Sequence, residues 1–132
     1  MTIIFALIAI ILSLILVVGT YEAGHAFAAK CFHVKIERIS IGFGKPIYTW
    51  TRKNGVEWVW ARWPLGGYVK LLSSRIAPVS IQEHAFCFDK KPVTARIMIL
   101  ISGALANLLT AWIALTVVFM LGYKQAPAII HD

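Results

Sequence analysis

Acidic side chains are scarce in this 132-residue chain: six Asp and Glu stand against thirteen Lys and Arg, for a formal net charge of +7. No cation precedes Lys30. That absence excludes the positive n-region of a secretory signal peptide, so the apolar residues at the start read as an uncleaved anchor. Cysteine is limited to Cys31 and Cys87, both in a segment assigned below to a reducing cytoplasm, which excludes a structural disulfide framework. No internal repeat or low-complexity tract occurs, and no RNA- or DNA-binding module accompanies the positive charge. The charge is read instead as membrane asymmetry and attraction to anionic lipid headgroups, with no nucleic-acid partner.

Apolar residues are what the chain has in excess, 59% by count with a mean hydropathy of +0.75. Met1 to Val18 contains only Thr2 and Ser13 as polar residues, and Ile97 to Leu121 carries no charge. Each run is long enough for one transmembrane helix, which takes roughly 20 residues. Twelve of the thirteen Lys and Arg lie from Lys30 to Arg96. By the positive-inside rule that segment is cytoplasmic and both termini are outside. The expected organisation is a first transmembrane helix over 1–30, a cytoplasmic-side, membrane-associated β region and loop over 31–92, a second transmembrane helix over 93–122 and an external tail over 123–132. The fold class is a mainly α membrane protein, two transmembrane helices flanking a β-hairpin or small sheet.

The β expectation comes from "VKIERISIGFG", which alternates apolar and polar residues, and from two aromatic and β-branched runs around Asn54-Gly55. Asn-Gly suits a tight turn because both positions tolerate positive φ. Residues 73–92 read as a loop with one helical turn. Trp50, Trp58, Trp60 and Trp63 crowd into the hairpin. A small hairpin has no core able to hide four indoles, so they are placed in the headgroup zone, with packing against the helices as the alternative.

At the end of the first apolar run stands Y-E-x-x-H, formed by Tyr21, Glu22 and His25. On a helix, residues four apart share a face, so Tyr21 and His25 lie together with Glu22 beside them. In H-E-x-x-H the same spacing lets two imidazoles hold one zinc ion while the Glu takes a proton from metal-bound water. Ionisable residues at the end of a membrane helix are expensive to bury and are functional candidates by default. His33, His84 and His131 have no paired spacing and read as interfacial or solvated. On the second helix, Gly103 four residues before Asn107 fits close helix contact plus an interhelical hydrogen bond, or ordinary helix packing.

The chain resembles the site-2 protease family of intramembrane zinc metalloproteases, in particular its regulator of sigma-E protease branch. "YEAGHAFAAKCFHVKIERISIGFGKPIYTW" is similar to the family's H-E-x-G-H helix and the turn and strand that follow. "WPLGGYVKLL" resembles its P-L-G-G-Y-V-K segment, and "AFCFDKKPVTARIMILISGALANLLTAW" its approach to the G-P-x-x-N helix. The resemblance implies regulated intramembrane proteolysis in the bacterial inner membrane, with zinc as cofactor and a single-pass membrane protein as substrate. It gives Glu22 the role of general base and His25 that of zinc ligand, with Gly103 and Asn107 supporting the active site. The "SIGFG" strand and hairpin match the region used near the substrate, which would be held extended by strand addition.

Two positions depart from that pattern. Tyr21 stands where the family has its first zinc-binding His, and a phenol is a poor ligand unless the metal drives off its proton. Ala104 replaces the Pro of G-P-x-x-N. The family's PDZ region and its later D-G helix, which bears the third ligand, match nothing up to Asp132. The expected entity is therefore an N-terminal, truncated part, impaired or inactive alone. A C-terminal partner fragment would supply the rest. The alternatives are a pseudoprotease that still binds membrane segments, and a gene remnant without selected function.

Overall fold

A computed structural model describes residues 1–124; His131 and most of the expected 123–132 tail lie outside the described residues. Helix α1 spans Thr2–Cys31, 30 residues without a proline. At ~1.5 Å per residue it is ~45 Å long, more than the ~30 Å hydrocarbon core of a bilayer. It closes through Val34 N–H, which reaches back to Ala29 O at 2.8 Å. His33 takes φ 58, the left-handed conformation usually given to glycine. We expect His33→Gly to raise stability by roughly 1 kcal/mol and His33→Val to lower it, measured as midpoints of thermal unfolding in detergent.

Strand β1 (Ile36–Thr51) pairs antiparallel with β2 (Glu57–Leu71). Both strands bend, so each contributes two segments to the sheet. Arg38 to Ile41 has Gly67 to Lys70 as partners on one side and Glu57 to Trp60 on the other, while Tyr48 to Thr51 covers the far side of Glu57 to Trp60. "SIGFG" thus begins inside the sheet, and the outer segment nearest α1 is Gly67 to Leu71. Gly42, at φ 91, makes the bend in β1 possible; a Cβ there would stand 2.7 Å from the Trp63 carbonyl oxygen.

The turn differs from the two-residue form that Asn-Gly suggests. Of its residues only Gly55 takes positive φ, at 84°. Arg52 and Val56 close the ladder around a three-residue loop, and the Asn54 side chain accepts the Val56 N–H at 3.1 Å. Residues 73–92 contain two 3-10 segments, Ile81–Phe86 and Phe88–Lys90. Pro92, which cannot donate a backbone hydrogen bond, then precedes α2 (Val93–Leu121), and Gly122 ends it at φ 77.

The buried core is small: Ala28, Ala29, Val34 and Ile99, with Phe32, Ile36, Leu71 and Phe88 around them. It ties the end of α1 to the start of α2 and the base of the sheet. Over much of their length the helices are bare, and none of the most apolar 18-residue stretch of either is buried within the chain. Two such helices and a small antiparallel sheet form the architecture of a membrane protein, in which lipid covers what the fold leaves exposed.

Candidate functional site

Thr20, Tyr21 and His25 of α1 face α2 where the two helices come closest. Small residues permit the approach. A Cβ at Gly24 would stand 2.6 Å from the Ser102 carbonyl oxygen and 2.7 Å from Ala106 Cβ. One at Gly103 would stand 2.6 Å from His25 Nε2 and 2.9 Å from Tyr21 Cε2. Backbones that near one another are what glycine in membrane helices provides.

His25 is held across this contact. Its Nδ1 lies 2.7 Å from the Ile99 carbonyl oxygen. A carbonyl only accepts, so in the neutral ring Nδ1 carries the proton and Nε2 keeps the lone pair. Ser102 Oγ donates to the same carbonyl at 2.5 Å. Tyr21 packs edge-on against the imidazole, ring centres 4.6 Å apart at 86°. One turn deeper, the Thr20 hydroxyl donates to Asn107 Oδ1 at 2.6 Å, a polar link between the helices.

Glu22 turns away from α2 toward the sheet. Its side chain lies against the outer sheet segment, with the carboxylate near the Val69 backbone. Gly67 lies over the helix here, where a Cβ would meet Ser40 O at 2.6 Å and Glu22 Cγ at 3.6 Å. A cavity of about 510 Å³ opens beside these groups, lined by Glu22, His25, Tyr68 to Leu71 and Ile99. Its wall is the outer sheet segment, whose backbone faces the same space as the Glu22–His25 pair.

The structure brings together Tyr21, Glu22, His25 and Gly103 and places Asn107 one helical turn away. The tryptophans sit apart, on the sheet. Trp50, Trp60 and Trp63 are 37%, 43% and 59% exposed. Trp58 stacks on Trp50 at 6.1 Å, and its Nε1 is buried without a hydrogen-bond partner among the described residues. Thr20, Gly24 and the Ile99 carbonyl join the site without having been singled out in the sequence. Gly24 was within reach of the small-residue rule applied to Gly103. A backbone carbonyl has no sequence signature.

An apolar helical hairpin with Tyr21 and His25 at the helix contact and Glu22 between helix and sheet fits a membrane protein. The chain belongs to peptidase family M50, whose profile matches residues 9–131. It is 38% identical over 132 residues to "Protease RseP" of Yersinia pestis, covering 100% of this chain and 29% of that protein. To a "Putative zinc metalloprotease" of Xylella fastidiosa it is 41% identical over 118 residues, 89% of this chain and 27% of the relative. To the "Regulator of sigma E protease" of Haemophilus influenzae it is 35% identical over 132 residues, 100% of this chain and 30% of the relative. The chain thus spans less than a third of the length of these relatives.

The zinc named for such relatives does not find a complete site in the described residues. No three His, Cys, Asp or Glu side chains among them stand close enough together to hold a metal ion. The ring of Tyr21 fills the position beside His25 that a second imidazole would take, and His25 Nε2 faces the α2 backbone at Gly103. A catalytic zinc takes three protein ligands and an open position. The groups present supply one imidazole nitrogen, His25 Nε2, which does not make such a site.

Proposed function

We propose that this chain is the membrane-embedded N-terminal part of a site-2-protease-like protein of the bacterial inner membrane. It holds single-pass membrane segments beside Glu22, and hydrolysis is impaired in the chain as it stands. The observation that carries this reading is Tyr21, packed between His25 and Gly103 at the helical position of a ligand. The bound segment lies extended along Tyr68 to Leu71, where an outer strand offers backbone hydrogen bonds beside the cavity. Asn107 and Gly103 keep α2 against this layer.

In this reading the helices cross the membrane, the sheet lies on the cytoplasmic side and both termini are outside, following the concentration of cations from Lys30 to Arg96. Trp50, Trp58, Trp60 and Trp63 settle the sheet in the headgroup zone. The cysteines give a direct test of sidedness, because Cys31 is exposed and Cys87 is buried. A membrane-impermeant maleimide is expected to label the chain in inside-out vesicles and not in intact spheroplasts; the reverse pattern overturns the topology.

Binding and hydrolysis separate in proteoliposomes containing a single-pass test substrate. A photo-crosslinker at Val69 is expected to capture the substrate, with no cleavage product and no change on Glu22→Gln. Cleavage that Glu22→Gln abolishes would favour the second reading, an enzyme part completed by a partner fragment. That reading draws on the oriented His25 ring, whose Nε2 keeps its lone pair, and on Glu22 at the cavity. In it Glu22 serves as general base and His25 as one zinc ligand, the other donors coming from outside the described residues.

A further inference from the structure

A second cavity, of about 330 Å³, lies on the other side of α1, between the helix and the face of the sheet. Its floor is the α1 face carrying Gly19, Ala23 and Ala26, and Ile39 and Ile41 of β1 form its roof. Lys30 lines it at the close of α1, and from the sheet Trp58, paired with Ile39, and Arg52, next to the Thr51–Glu57 pair, line it too. Neither cation belongs to an ion pair among the described residues. Arg52 lies over the Trp58 ring at 5.9 Å, and the Trp58 Nε1 donor is buried without a partner. Glu22, the one acidic residue in the lining, is eight positions before Lys30, about 12 Å away along the helix. Its carboxylate is turned to Val69.

We propose that this groove is a binding site for an anionic phospholipid. The acyl chain follows the apolar floor, and the phosphate meets Lys30 and Arg52. The polarity of the groove matches that of a lipid in a bilayer: its apolar end lies toward the membrane-spanning part of α1, its cationic end toward the boundary. A bound lipid would fill the space between α1 and the sheet and fix the height at which the sheet sits over Glu22. The inference rests on the transmembrane reading of α1. Failure of that reading shows as release of the chain from membranes by alkaline carbonate, which loss of a lipid site leaves untouched.

The test is native mass spectrometry of the full chain released from nanodiscs made of equal parts dioleoyl phosphatidylglycerol and dioleoyl phosphatidylcholine. Each cation near an anionic lipid surface favours it about fivefold, so the pair sets a retained preference for phosphatidylglycerol on the order of 30-fold. The double substitution Lys30→Gln with Arg52→Gln is expected to bring retention of the two lipids close to equal. Lys45→Gln with Lys90→Gln, the same loss of charge outside the groove, is expected to leave the preference intact. Ala23→Leu with Ala26→Leu fills the floor from exposed or half-buried positions and is expected to remove the retained lipid with unchanged circular dichroism. Equal retention of both lipids by the unmodified chain overturns the proposal. So does a preference that survives loss of Lys30 and Arg52, or a retained peptide mass in place of phospholipid.

Discussion

Gly24→Leu is expected to separate the two helices. The contacts at Gly24 are with a backbone carbonyl, Ser102 O, and with Ala106 Cβ, neither of which is the mobile end of a side chain. A side chain forced between them moves one helix against the other. Overpacking of that kind costs roughly 1–3 kcal/mol. The same displacement lengthens the 2.7 Å contact of His25 with Ile99 O and the 2.6 Å contact of Thr20 with Asn107. Gly19→Leu is the control, since nothing lies within 4 Å of a Cβ at Gly19. Unfolding by sodium dodecyl sulfate in mixed micelles is expected to shift to lower denaturant for Gly24→Leu and to stay put for Gly19→Leu. Equal midpoints for both variants would mean that the helices do not meet at Gly24.

Tyr21→His is the second large effect. It places two imidazoles four residues apart on the face of α1 that meets α2, with Glu22 adjacent, the spacing by which a helix presents two ligands to one metal. His25 already has its Nδ1 proton fixed by Ile99 O, which leaves Nε2 as the donor atom. Zinc affinity is expected to rise by at least on the order of tenfold, ~1.4 kcal/mol, measured by competition with a chromogenic chelator. Tyr21→Phe separates the ring from the hydroxyl and is expected to bind no more zinc than the unmodified chain. Unchanged affinity in Tyr21→His would place the obstacle elsewhere, in the closeness of Gly103 to Nε2.

Hydropathy made the helices legible because lipid-facing positions need no partner within the chain. A run such as Met1 to Val18 states its environment by composition alone. The sheet was legible only as far as its alternation. That Arg38 to Ile41 has partners on both sides depends on bends at Gly42 in β1 and between Trp60 and Gly67 in β2, and nothing local distinguishes a bent long strand from two short ones. The same limit explains "SIGFG": its pattern reads as strand, but whether a strand lies inside a sheet or at its rim is decided by what pairs with it. At Asn54-Gly55 the sequence located the turn and missed its form, because the Asn54 side chain took a backbone donor in place of a left-handed backbone.

Within the site, spacing was enough for Tyr21, Glu22 and His25, since helical geometry is regular. Gly103 and Asn107 followed from what membrane helices need in order to touch. The partners of these residues did not. The Ile99 carbonyl and the Val69 backbone are main-chain groups, and their positions come from the tertiary arrangement. The tryptophans divided: three are exposed on the sheet, while Trp58 tucks its Nε1 out of water. Clustering in sequence could not separate these two fates.

Among the described residues this M50 chain holds no complete zinc site, and Tyr21 packs against the one candidate imidazole, His25. The measurement that bears on it most directly is zinc per chain, by elemental analysis of protein purified in mild detergent and dialysed against zinc-free buffer. The expected result is far less than one zinc per chain. Close to one zinc per chain would contradict the account: His25 would then have found ligands other than those its neighbours in the fold supply, and hydrolysis by this chain would become the reading to test.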